Sequence, residues 1–592
     1  MSSGKGIVIM LSYIHEAPLA NQQEETNDCF DGRRFAADWG LVGQTVLLFA
    51  VWIYLCSLHW NNDGLWFQGD APRHALTGLF WKDYLQSFPT NLKDYTLSYF
   101  ARYPAIKPTS YPPLFHWLEG GMYGLAGPSP YVAKHLVLLF ALLSAVYTML
   151  WLRRWLAPEA GWAGALLLLL PGIVRWSHGI MLNVPALGFS LAALFYMRCW
   201  MDPQRDTAGS RQLYLGVALS VAAVATYYPG AVVLVVIGAW LACFGGYRRL
   251  LSRRTLAWAG ASSLAVAPLG WLLLRWAPTS VGWVIPAGEQ VASLGNWLYY
   301  AVRLPNLVGF PLLGLAAAGA AAGCASRRWR HETWVLLIWI AVVYLVFSLI
   351  RGKESRYVLL LCPALLMLGT IAILVLVQAV GRRLRATPAA IRIATAAMVL
   401  LLIGVQVEQA WRIPVPALSG FREAAAFFRR HAPAEPVLYD GYYDGPFTFY
   451  VRAGDPGFRQ QVVLGNKLLY AYALDQGWHL EEYASTPDQV LEILQSRGGC
   501  RWLAIEMSDR SDTLAAARLL REVVQREEFQ QVASFSMGPP GRIDIYQLLV
   551  PVQTPEFVEL PFPILGAGTR FRTRPIPARR LAHDRGSQDF LQ

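Results

Sequence analysis

An aspartate follows the first long apolar segment of the chain, in the stretch GDAPRHA at residues 69–75. The Asp70 carboxylate can act as a general base that takes the proton of a hydroxyl nucleophile. Asp70 is also suited to cap a helix, because aspartate is favoured at the N-cap and Pro72 is favoured in the first turn. The local sequence leaves the base and the cap open.

A second polar group occurs in RWSHGIMLNVPAL at residues 175–187, where the fourth apolar segment begins. His178 and Asn183 lie there at a predicted membrane edge, and simple solvation at a helix end would explain both. Pro185 favours a different interpretation, because proline frees backbone groups and is typical of an opened helix that lines a cavity.

A third group is the short charged link RGKESRY at residues 351–357. Its basic residues include Lys353 and Arg356, and they fall at a helix end that the charge pattern assigns to the outer side of the membrane. Positive charge is disfavoured there. We therefore expect these residues to bind an anion.

These polar groups are separated by long apolar segments, and 55% of the 592 residues are hydrophobic while only 15% are charged. Most segments approach the roughly 20 residues that a helix needs to cross a bilayer. We predict about eleven spans, the two shortest of which, 161–175 and 213–228, are expected to be tilted or broken. The segments are 41–59, 131–152, 161–175, 180–200, 213–228, 231–246, 256–276, 304–324, 333–350, 357–380 and 391–411.

Basic clusters recur at every second junction between these segments, which makes those loops cytoplasmic by the positive-inside rule. The net charge of +12 is thereby explained, and we expect no nucleic-acid partner. We assign residues 1–40 to the cytoplasm. An odd number of spans would place the long loop 60–130 and everything after residue 411 outside the cytoplasmic membrane.

The outer loop is predicted to form interfacial helices. In the first, Ala75, Leu76, Leu79, Phe80 and Tyr84 form one apolar face, which we expect to lie on lipid or on the transmembrane bundle. A second helix is predicted from Leu114 to Tyr123, after two prolines.

Helical and strand patterns alternate over 412–560, which predicts a small extracytoplasmic α/β domain. The predicted helices are 421–433, 486–498 and 511–525, and the predicted strands are 436–441, 501–507, 529–537 and 542–549. This region has no phosphate-binding glycine loop or nucleophile elbow, so we expect no cofactor. The tail 561–592 is basic and proline-rich, and we expect it to be poorly ordered.

The order of these motifs resembles the GT-C glycosyltransferases, in particular the family 39 group that includes protein O-mannosyltransferases and aminoarabinose transferases. The resemblance covers residues 41–411 and rests on GDAPRHA, RYPAIKPTSYPPLFHWLEGG, WSHGIMLNVPAL and KESRYVLLLCPALLML. The stretch YDGYYDGPFTFYVR at residues 439–452 also looks like bacterial members of this group.

The resemblance implies transfer of a sugar from a polyprenyl-phosphate donor to a protein, lipid or glycan acceptor at the outer face of the membrane. Asp70 matches the acid that activates the acceptor, with inversion at the anomeric carbon. The donor phosphate needs cationic partners, and the candidates by position are Arg73, Lys107, Lys353 and Arg356. The supporting candidates are Tyr111, His116, His178 and, towards the acceptor, Asn183; His116 can equally be a packed interfacial histidine.

Two departures from the family pattern matter. Asn183 stands where many relatives carry an acid, and an amide cannot take a proton. Either Asp70 acts alone, or the acceptor differs, or the chain binds without turnover. Ala71 follows Asp70 where relatives carry a second acid, so we expect no metal site.

Two other classes of protein remain as alternatives. The first is a non-catalytic glycolipid-binding or assembly subunit, which Asn183 favours. The second is a flippase or transporter of lipid-linked sugars, for which internal repeats would be expected.

Overall fold

A computed structural model describes most of the chain. It covers residues 38–58, 69–108, 111–202, 210–244, 292–415, 417–473, 479–511, 514–539, 541–553, 558–561 and 570–573, and a few positions between 251 and 267. Residues 1–37 and nearly all of the predicted span 256–276 therefore lie outside the described residues.

The part of the chain before residue 412 is built from α-helices. They are α1 (Trp39–Ser57), α2 (Asp70–Ser87), α3 (Leu92–Arg102), α4 (Leu114–Ala126), α5 (Pro130–Trp151), α6 (Pro171–Ser177), α7 (Asn183–Met201), α8 (Ser210–Thr226), α9 (Val232–Phe244), α10 (Leu294–Ala301), α11 (Leu304–Val308), α12 (Phe310–Ala325), α13 (Arg330–Ser348), α14 (Leu361–Arg383) and α15 (Pro388–Trp411). A π-helical turn, Leu152–Leu156, extends α5, and the 3₁₀ segments are Pro158–Leu169, Tyr228–Ala231 and Ser355–Leu360.

Within the described residues, six helices are long and apolar enough to cross a membrane, and the number rises to eight if each of two bent pairs is one span. The six are α1, α5 with its π-helical turn, α7, α13, α14 with the 3₁₀ segment before it, and α15. The chain is thus a multi-pass membrane protein. The larger number of about eleven spans stays a prediction.

Both bent pairs have a local cause. Pro158–Leu169 meets α6 at 54°, where Pro171 begins the new helix, and this confirms the expected break in segment 161–175. The pair α10–α11 and α12 meets at 112°. Gly309 between them has φ 81° and ψ 151°, a conformation that is essentially restricted to glycine.

The C-terminal region alternates helices and strands. Its elements are α16 (Phe421–His431), β1 (Pro436–Asp440), α17 (Asp444–Ala453), β2 (Gln461–Leu464), α18 (Gly465–Leu468), β3 (Tyr470–Ala473), β4 (His479–Glu482), α19 (Pro487–Glu492) with a π-helical turn Ile493–Gly498, β5 (Trp502–Ser508), α20 (Ala515–Val523), β6 (Phe529–Gly538), β7 (Gly541–Leu548), β8 (Val558–Pro561) and β9 (Arg570–Thr573). All the predicted helices and strands of this region are present, whereas α17 and β2 were not predicted.

The main sheet has the strand order β2-β1-β5-β7-β6. Strand β1 is parallel to β2 and β5, with Val437 opposite Val462 and Trp502, and β7 is antiparallel to β5 and β6. The strand order reverses between β1 and β5, so their carboxyl ends form the kind of crevice where α/β sheets place functional groups. The turn after β1 leads directly into α17.

The expectation for the apolar face of α2 was wrong. Ala75, Leu76, Leu79 and Phe80 are fully buried inside the protein rather than exposed to lipid. Helix α2 packs mainly against α4 and α17. Its Phe80 ring packs against aromatic side chains of α3 as well, including Tyr99 at a centroid distance of 5.2 Å.

Helix α4 is the second predicted interfacial helix, and one of its faces is apolar and exposed, as contact with lipid requires. His116 and Glu119 are buried on its inner face, whereas Trp117, Leu118 and Leu125 are exposed on the other. An exposed apolar face on a helix beside a membrane bundle is suited to the lipid interface.

We expected the tail beyond residue 561 to be poorly ordered, but part of it forms a strand. Within it, β9 pairs antiparallel with β8, with Phe571 opposite Leu560. Polar and apolar residues alternate at Arg570, Phe571 and Arg572. This alternation is typical of a strand, although the composition of the tail predicts disorder.

Candidate functional site

Asp70 is the first residue of α2, and the helix begins without using it as a cap. The N-cap residue is Gly69, and no side chain caps this end. The Asp70 carboxylate instead lies between two cations, with Oδ1 3.8 Å from Lys107 Nζ and Oδ2 3.4 Å from Arg356 Nη2. About a quarter of the side chain, 27%, stays exposed. The alternative of a simple helix cap is therefore excluded.

The charges around Asp70 decide its protonation state. Burial alone would raise the pKa of the carboxyl group, but the positive charges of Lys107 and Arg356 outweigh it and lower the pKa to about 2. The positive end of the α2 dipole acts in the same direction. Asp70 is thus a carboxylate at every physiological pH.

Lys107 comes from the segment between α3 and α4. Its backbone N–H donates to Thr77 Oγ1 of α2 at 3.2 Å, which fixes the segment beside Asp70. Burial, followed by the charge of Arg73, lowers the pKa of the ammonium to about 8, although Asp70 opposes this shift. Lys107 is the cation of the site whose charge changes closest to neutral pH.

Arg356 reaches the site from the 3₁₀ segment before α14. It is buried, with its guanidinium 5.6 Å from the Trp176 ring and 5.8 Å from the Tyr357 ring. Aromatic faces on a guanidinium hold its plane in one orientation and add cation–π attraction. The structure therefore brings one residue of the charged 351–357 link to Asp70.

Tyr111 and two histidines form a layer behind Asp70. The His74 ring makes an edge contact with Tyr111 at 4.6 Å, and its Nδ1 lies 3.1 Å from His116 Nε2. Burial lowers the pKa of both imidazoles, that of His116 to about 3. Both rings are therefore neutral at pH 7, and one donates its N–H to the other. His74 was not among the predicted site residues, although it is one helical turn from Asp70.

Arg73 also lies beside Asp70, but it is engaged by the C-terminal region. Its Nη2 is 3.1 Å and 3.3 Å from the two carboxylate oxygens of Asp444, in the first turn of α17. Lys467 of α18 lies close enough for Asp444 and Arg73 to influence its pKa, which burial above all lowers to about 8. Neither Asp444 nor Lys467 was predicted, although Asp444 belongs to the YDGYYDGPFTFYVR stretch.

Two of the predicted site residues make other contacts. Lys353 Nζ donates to the carbonyl oxygens of Phe347, Ser348 and Ile350 at 3.3, 2.8 and 3.0 Å. A cation at these last carbonyls stabilises the end of α13. This contact accounts for the position of Lys353 without a bound anion, and its role at the donor phosphate stays a prediction.

His178 connects two membrane segments. Its ring nitrogens lie 2.7 Å from the Val174 carbonyl oxygen and 3.0 Å from the Leu55 carbonyl oxygen of α1. Residues around position 178 are thereby fixed to the end of the first span. A supporting role for His178 is positional in this arrangement.

Asn183 begins α7 and lines a cavity together with Arg356. The cavity has a volume of about 30 Å³, and the remaining residues that line it are Ala186, Leu187, Ser190, Tyr227, Pro229, Gly230, Val232, Tyr357, Leu359 and Leu360. The lining is therefore mostly apolar, with Asn183 and Arg356 among its few polar residues. A cavity of this size has room for about two water molecules.

No protein-family model matches the sequence, and no curated protein matches it. Solved structures do. ArnT from Cupriavidus metallidurans bound to undecaprenyl phosphate is 17% identical, with 88% of this chain and 100% of that chain covered at a TM-score of 0.56. The chain has the GT-C fold.

Two further solved structures are similar. ArnT in the apo state is 17% identical at a TM-score of 0.55, with 87% of this chain and 99% of that chain covered. An oligosaccharyltransferase from Archaeoglobus fulgidus with a tethered acceptor peptide is 12% identical at a TM-score of 0.48, with 91% of this chain and 77% of that chain covered. The likeness to ArnT extends from the helices into the C-terminal region of this chain.

The chemistry that the arrangement permits follows from its charges. An ionised carboxylate lies between a lysine and an arginine, and the arginine also lines the small cavity. Such a site can bind the phosphate of a lipid through the cations and accept a proton on the carboxylate. Of the predicted site residues, Asp70 lies beside Lys107, Arg356 and Tyr111. His116 is joined to this group through His74, and Asn183 through the backbone carbonyl of Arg356.

Proposed function

We propose that this protein is an inverting glycosyltransferase that transfers a sugar from a polyprenyl-phosphate donor to a hydroxyl acceptor at the outer face of the cytoplasmic membrane. The observation that carries the proposal is the Asp70 carboxylate between Lys107 and Arg356. The GT-C fold supports it, because the similar ArnT structure contains undecaprenyl phosphate.

Asp70 is the general base of the proposed reaction. The acceptor hydroxyl gives its proton to the carboxylate while its oxygen forms a bond to the anomeric carbon of the donor. The bond from that carbon to the phosphate oxygen breaks, and its electron pair leaves with the polyprenyl phosphate. Attack on the side opposite the leaving group inverts the anomeric centre.

Lys107 and Arg356 have two functions in this scheme. Before the donor binds, they balance the charge of Asp70 and hold its pKa at about 2, which makes it a weak base. The donor phosphate then takes up part of their positive charge, so the pKa of Asp70 rises towards the range in which a base is effective. The same cations stabilise the charge that develops on the leaving phosphate.

The acceptor approaches from the C-terminal side. Arg73 lies three residues after Asp70, and its ion pair with Asp444 joins α2 to α17. On this side, the neighbours of the Asp70 segment therefore belong to the C-terminal region. A protein, lipid or glycan hydroxyl would reach Asp70 past this surface. We propose that the C-terminal region lies outside the membrane and contributes to acceptor choice.

The experiment measures release of polyprenyl phosphate. Purified protein in nanodiscs receives a panel of polyprenyl-phosphate sugars with candidate acceptors, and Asp70→Asn is compared with Asp94→Asn. Asp94 also lies in the first turn of an outer-loop helix but contacts Asn91, so its loss leaves the site intact. We expect loss of at least about 100-fold for Asp70→Asn and little change for Asp94→Asn.

The other outcomes separate the competing functions. Donor binding without release from any mixture would indicate the glycolipid-binding subunit, and movement of intact donor across the bilayer would indicate a flippase. We expect release to continue in excess chelator, because the two cations supply the charge that a metal would otherwise provide.

A further inference from the structure

His74 and His116 form a buried pair behind Asp70, where α2 and α4 pack together. His74 Nδ1 lies 3.1 Å from His116 Nε2, and only 2% and 1% of the two residues is exposed. Burial lowers the pKa of both imidazoles, so both are neutral at pH 7 and each carries one N–H and one unprotonated nitrogen. What the pair can do depends on which nitrogen of each ring is unprotonated.

The hydrogen bonds of His116 fix the tautomers of both rings. His116 hydrogen-bonds to the backbone of Pro112, and proline has no N–H, so the carbonyl oxygen accepts this bond. Because His116 Nε2 faces His74, the donor to Pro112 is Nδ1–H, and Nε2 is the unprotonated nitrogen. His74 therefore donates to His116 through Nδ1–H, which leaves its own Nε2 as an acceptor.

The helix directs the His74 side chain towards Asp70. Residues four apart lie on one face of a helix, and side chains lean towards its N-terminus, where Asp70 is the first residue of α2. His74 and Asp70 are close enough to interact electrostatically. Within the described part of the chain, no residue donates a hydrogen bond to His74 Nε2. An acceptor without a donor thus lies beside the proposed base.

The protonation state of Asp70 decides whether these two side chains can form a hydrogen bond. As a carboxylate, Asp70 only accepts hydrogen bonds, and it takes one from the Tyr111 hydroxyl. Once protonated, Asp70 has an O–H group that can donate to the unprotonated nitrogen of His74. A hydrogen bond that forms only with the protonated acid stabilises that form and favours proton transfer to it.

We propose that His74, held in one tautomer by His116, accepts a hydrogen bond from Asp70 after Asp70 has taken the proton of the acceptor hydroxyl. This inference rests on the proposed function and assigns two positioning residues to its base. The proton stays on Asp70, because burial above all, together with the charges of Arg356 and Lys107, lowers the pKa of His74. After the reaction the proton is lost to water, since 27% of the Asp70 side chain is exposed.

The experiment separates the acceptor atom of His74 from the packing of its ring. His74→Gln places an amide oxygen near the position of Nε2, whereas His74→Phe keeps a ring without any acceptor. Release of polyprenyl phosphate gives kcat and the KM of each substrate, and melting temperatures in nanodiscs report on folding. The control His431→Phe makes the same change at an exposed histidine at the end of α16.

We expect His74→Phe to lower kcat about 10- to 100-fold, with little change in either KM, because the hydrogen bond forms only during the reaction. His74→Gln should recover most of this loss, and His431→Phe should have the kcat of the wild type. Equal kcat values for His74→Gln and His74→Phe would overturn the inference, as would a loss that appears in KM alone. Either result would mean that the pair only packs α2 against α4.

The tautomer is tested at His116. His116→Phe removes the acceptor for His74 Nδ1–H, so His74 can carry its hydrogen on either nitrogen, and kcat should fall about 3- to 10-fold. His116→Gln offers an amide oxygen in place of Nε2 and should restore kcat. An unchanged kcat in His116→Phe would overturn the role of His116.

These outcomes are distinct from those at Asp70. If Asp70→Asn abolishes release while both His74 variants keep the kcat of the wild type, the proposed function stands and this inference is wrong. If the wild type releases no polyprenyl phosphate from any mixture, the proposed function fails and this inference fails with it.

Discussion

Arg73 Nη2 lies 3.1 Å from Asp444 Oδ1, which joins the first turn of α2 to the first turn of α17. The backbones approach closely at the same point, because a Cβ on Gly445 would lie 2.9 Å from Pro72 Cβ. The C-terminal region therefore contacts the segment that begins with Asp70. Sequence places these two segments more than 370 residues apart.

This ion pair should couple the two regions in the reaction. We expect Arg73→Met and Asp444→Asn each to lower kcat/KM for the acceptor, and the double variant to lose little more than either single one, with a coupling energy of about 1 kcal/mol. The matched control is the exposed pair Arg526–Asp488, whose Asp488 side chain is 84% exposed. Losses that simply add in the Arg73–Asp444 double variant would contradict the coupling.

Lys107 should set the alkaline limit of activity. Its ammonium has a pKa of about 8, so it is charged below pH 8 and loses its charge as the pH rises through that value. The profile of kcat/KM, which reports groups of the free enzyme, should then fall about tenfold per unit above pH 8. Lys107→Arg should move this limb upward by two units or more, because arginine stays charged.

The control for this profile is Lys467→Arg, because Lys467 has a pKa of about 8 as well. It lies on the C-terminal side of the Arg73–Asp444 pair and does not contact Asp70 in the described residues. We expect its substitution to leave the alkaline limb in place. A limb that moves with Lys467 and not with Lys107 would assign the phosphate contact to the other lysine.

The apolar segments were predictable because a helix that crosses a bilayer has a minimum length. Asp70 and Arg356 were found through the order of motifs around them, but their contact depends on how α2 packs against the 3₁₀ segment before α14. Nothing local in sequence indicates that packing. The contacts of Lys353 could not be predicted either, because carbonyl groups at the end of α13 compete with any anion for its ammonium group.

The His74–His116 contact was missed for a related reason. It requires α2 and α4 to pack almost backbone to backbone, and a Cβ on Gly120 would lie 2.9 Å from the Gly78 carbonyl oxygen. Glycines at these positions permit the approach, but glycine alone does not indicate which helix approaches. The apolar face of α2 was predicted from its spacing, while the surface that covers it was assigned wrongly to lipid or the transmembrane bundle.

A buried ion pair should hold the C-terminal region on the outer loop. Arg452 Nη2 of α17 lies 2.7 Å from Asp83 Oδ2 of α2, and the Tyr99 hydroxyl donates to the same oxygen at 2.8 Å. Removal of Arg452 leaves the buried Asp83 carboxylate with Lys82, whose Nζ is 3.5 Å from Oδ1, and Tyr99 as partners, so Arg452→Met should destabilise this contact by about 3 kcal/mol. Thermal unfolding in nanodiscs and limited proteolysis after residue 411 measure the loss.

The double variant Asp83→Leu with Arg452→Met provides the comparison for this pair. It removes both charges, so it should be more stable than Arg452→Met alone. If the double variant unfolds at a lower temperature than both single variants, packing rather than charge holds the two regions together.

Glu119 should make the protein less stable at higher pH. It is fully buried on α4, where burial raises the pKa of its carboxyl group well above the usual value, although the Tyr123 hydroxyl donates to Oε1 at 3.2 Å. The unfolded chain ionises at its ordinary pKa while the folded protein keeps the proton, so stability is full below that pKa and is lost as the pH rises towards the folded pKa. Glu119→Gln keeps the shape without the titration, and its melting temperature should exceed that of the wild type by more at pH 8 than at pH 5. The variant Glu423→Gln, at an exposed acid in the first turn of α16, is the control and should show no such difference. An equal offset at both pH values would mean that Glu119 is ionised in the folded protein.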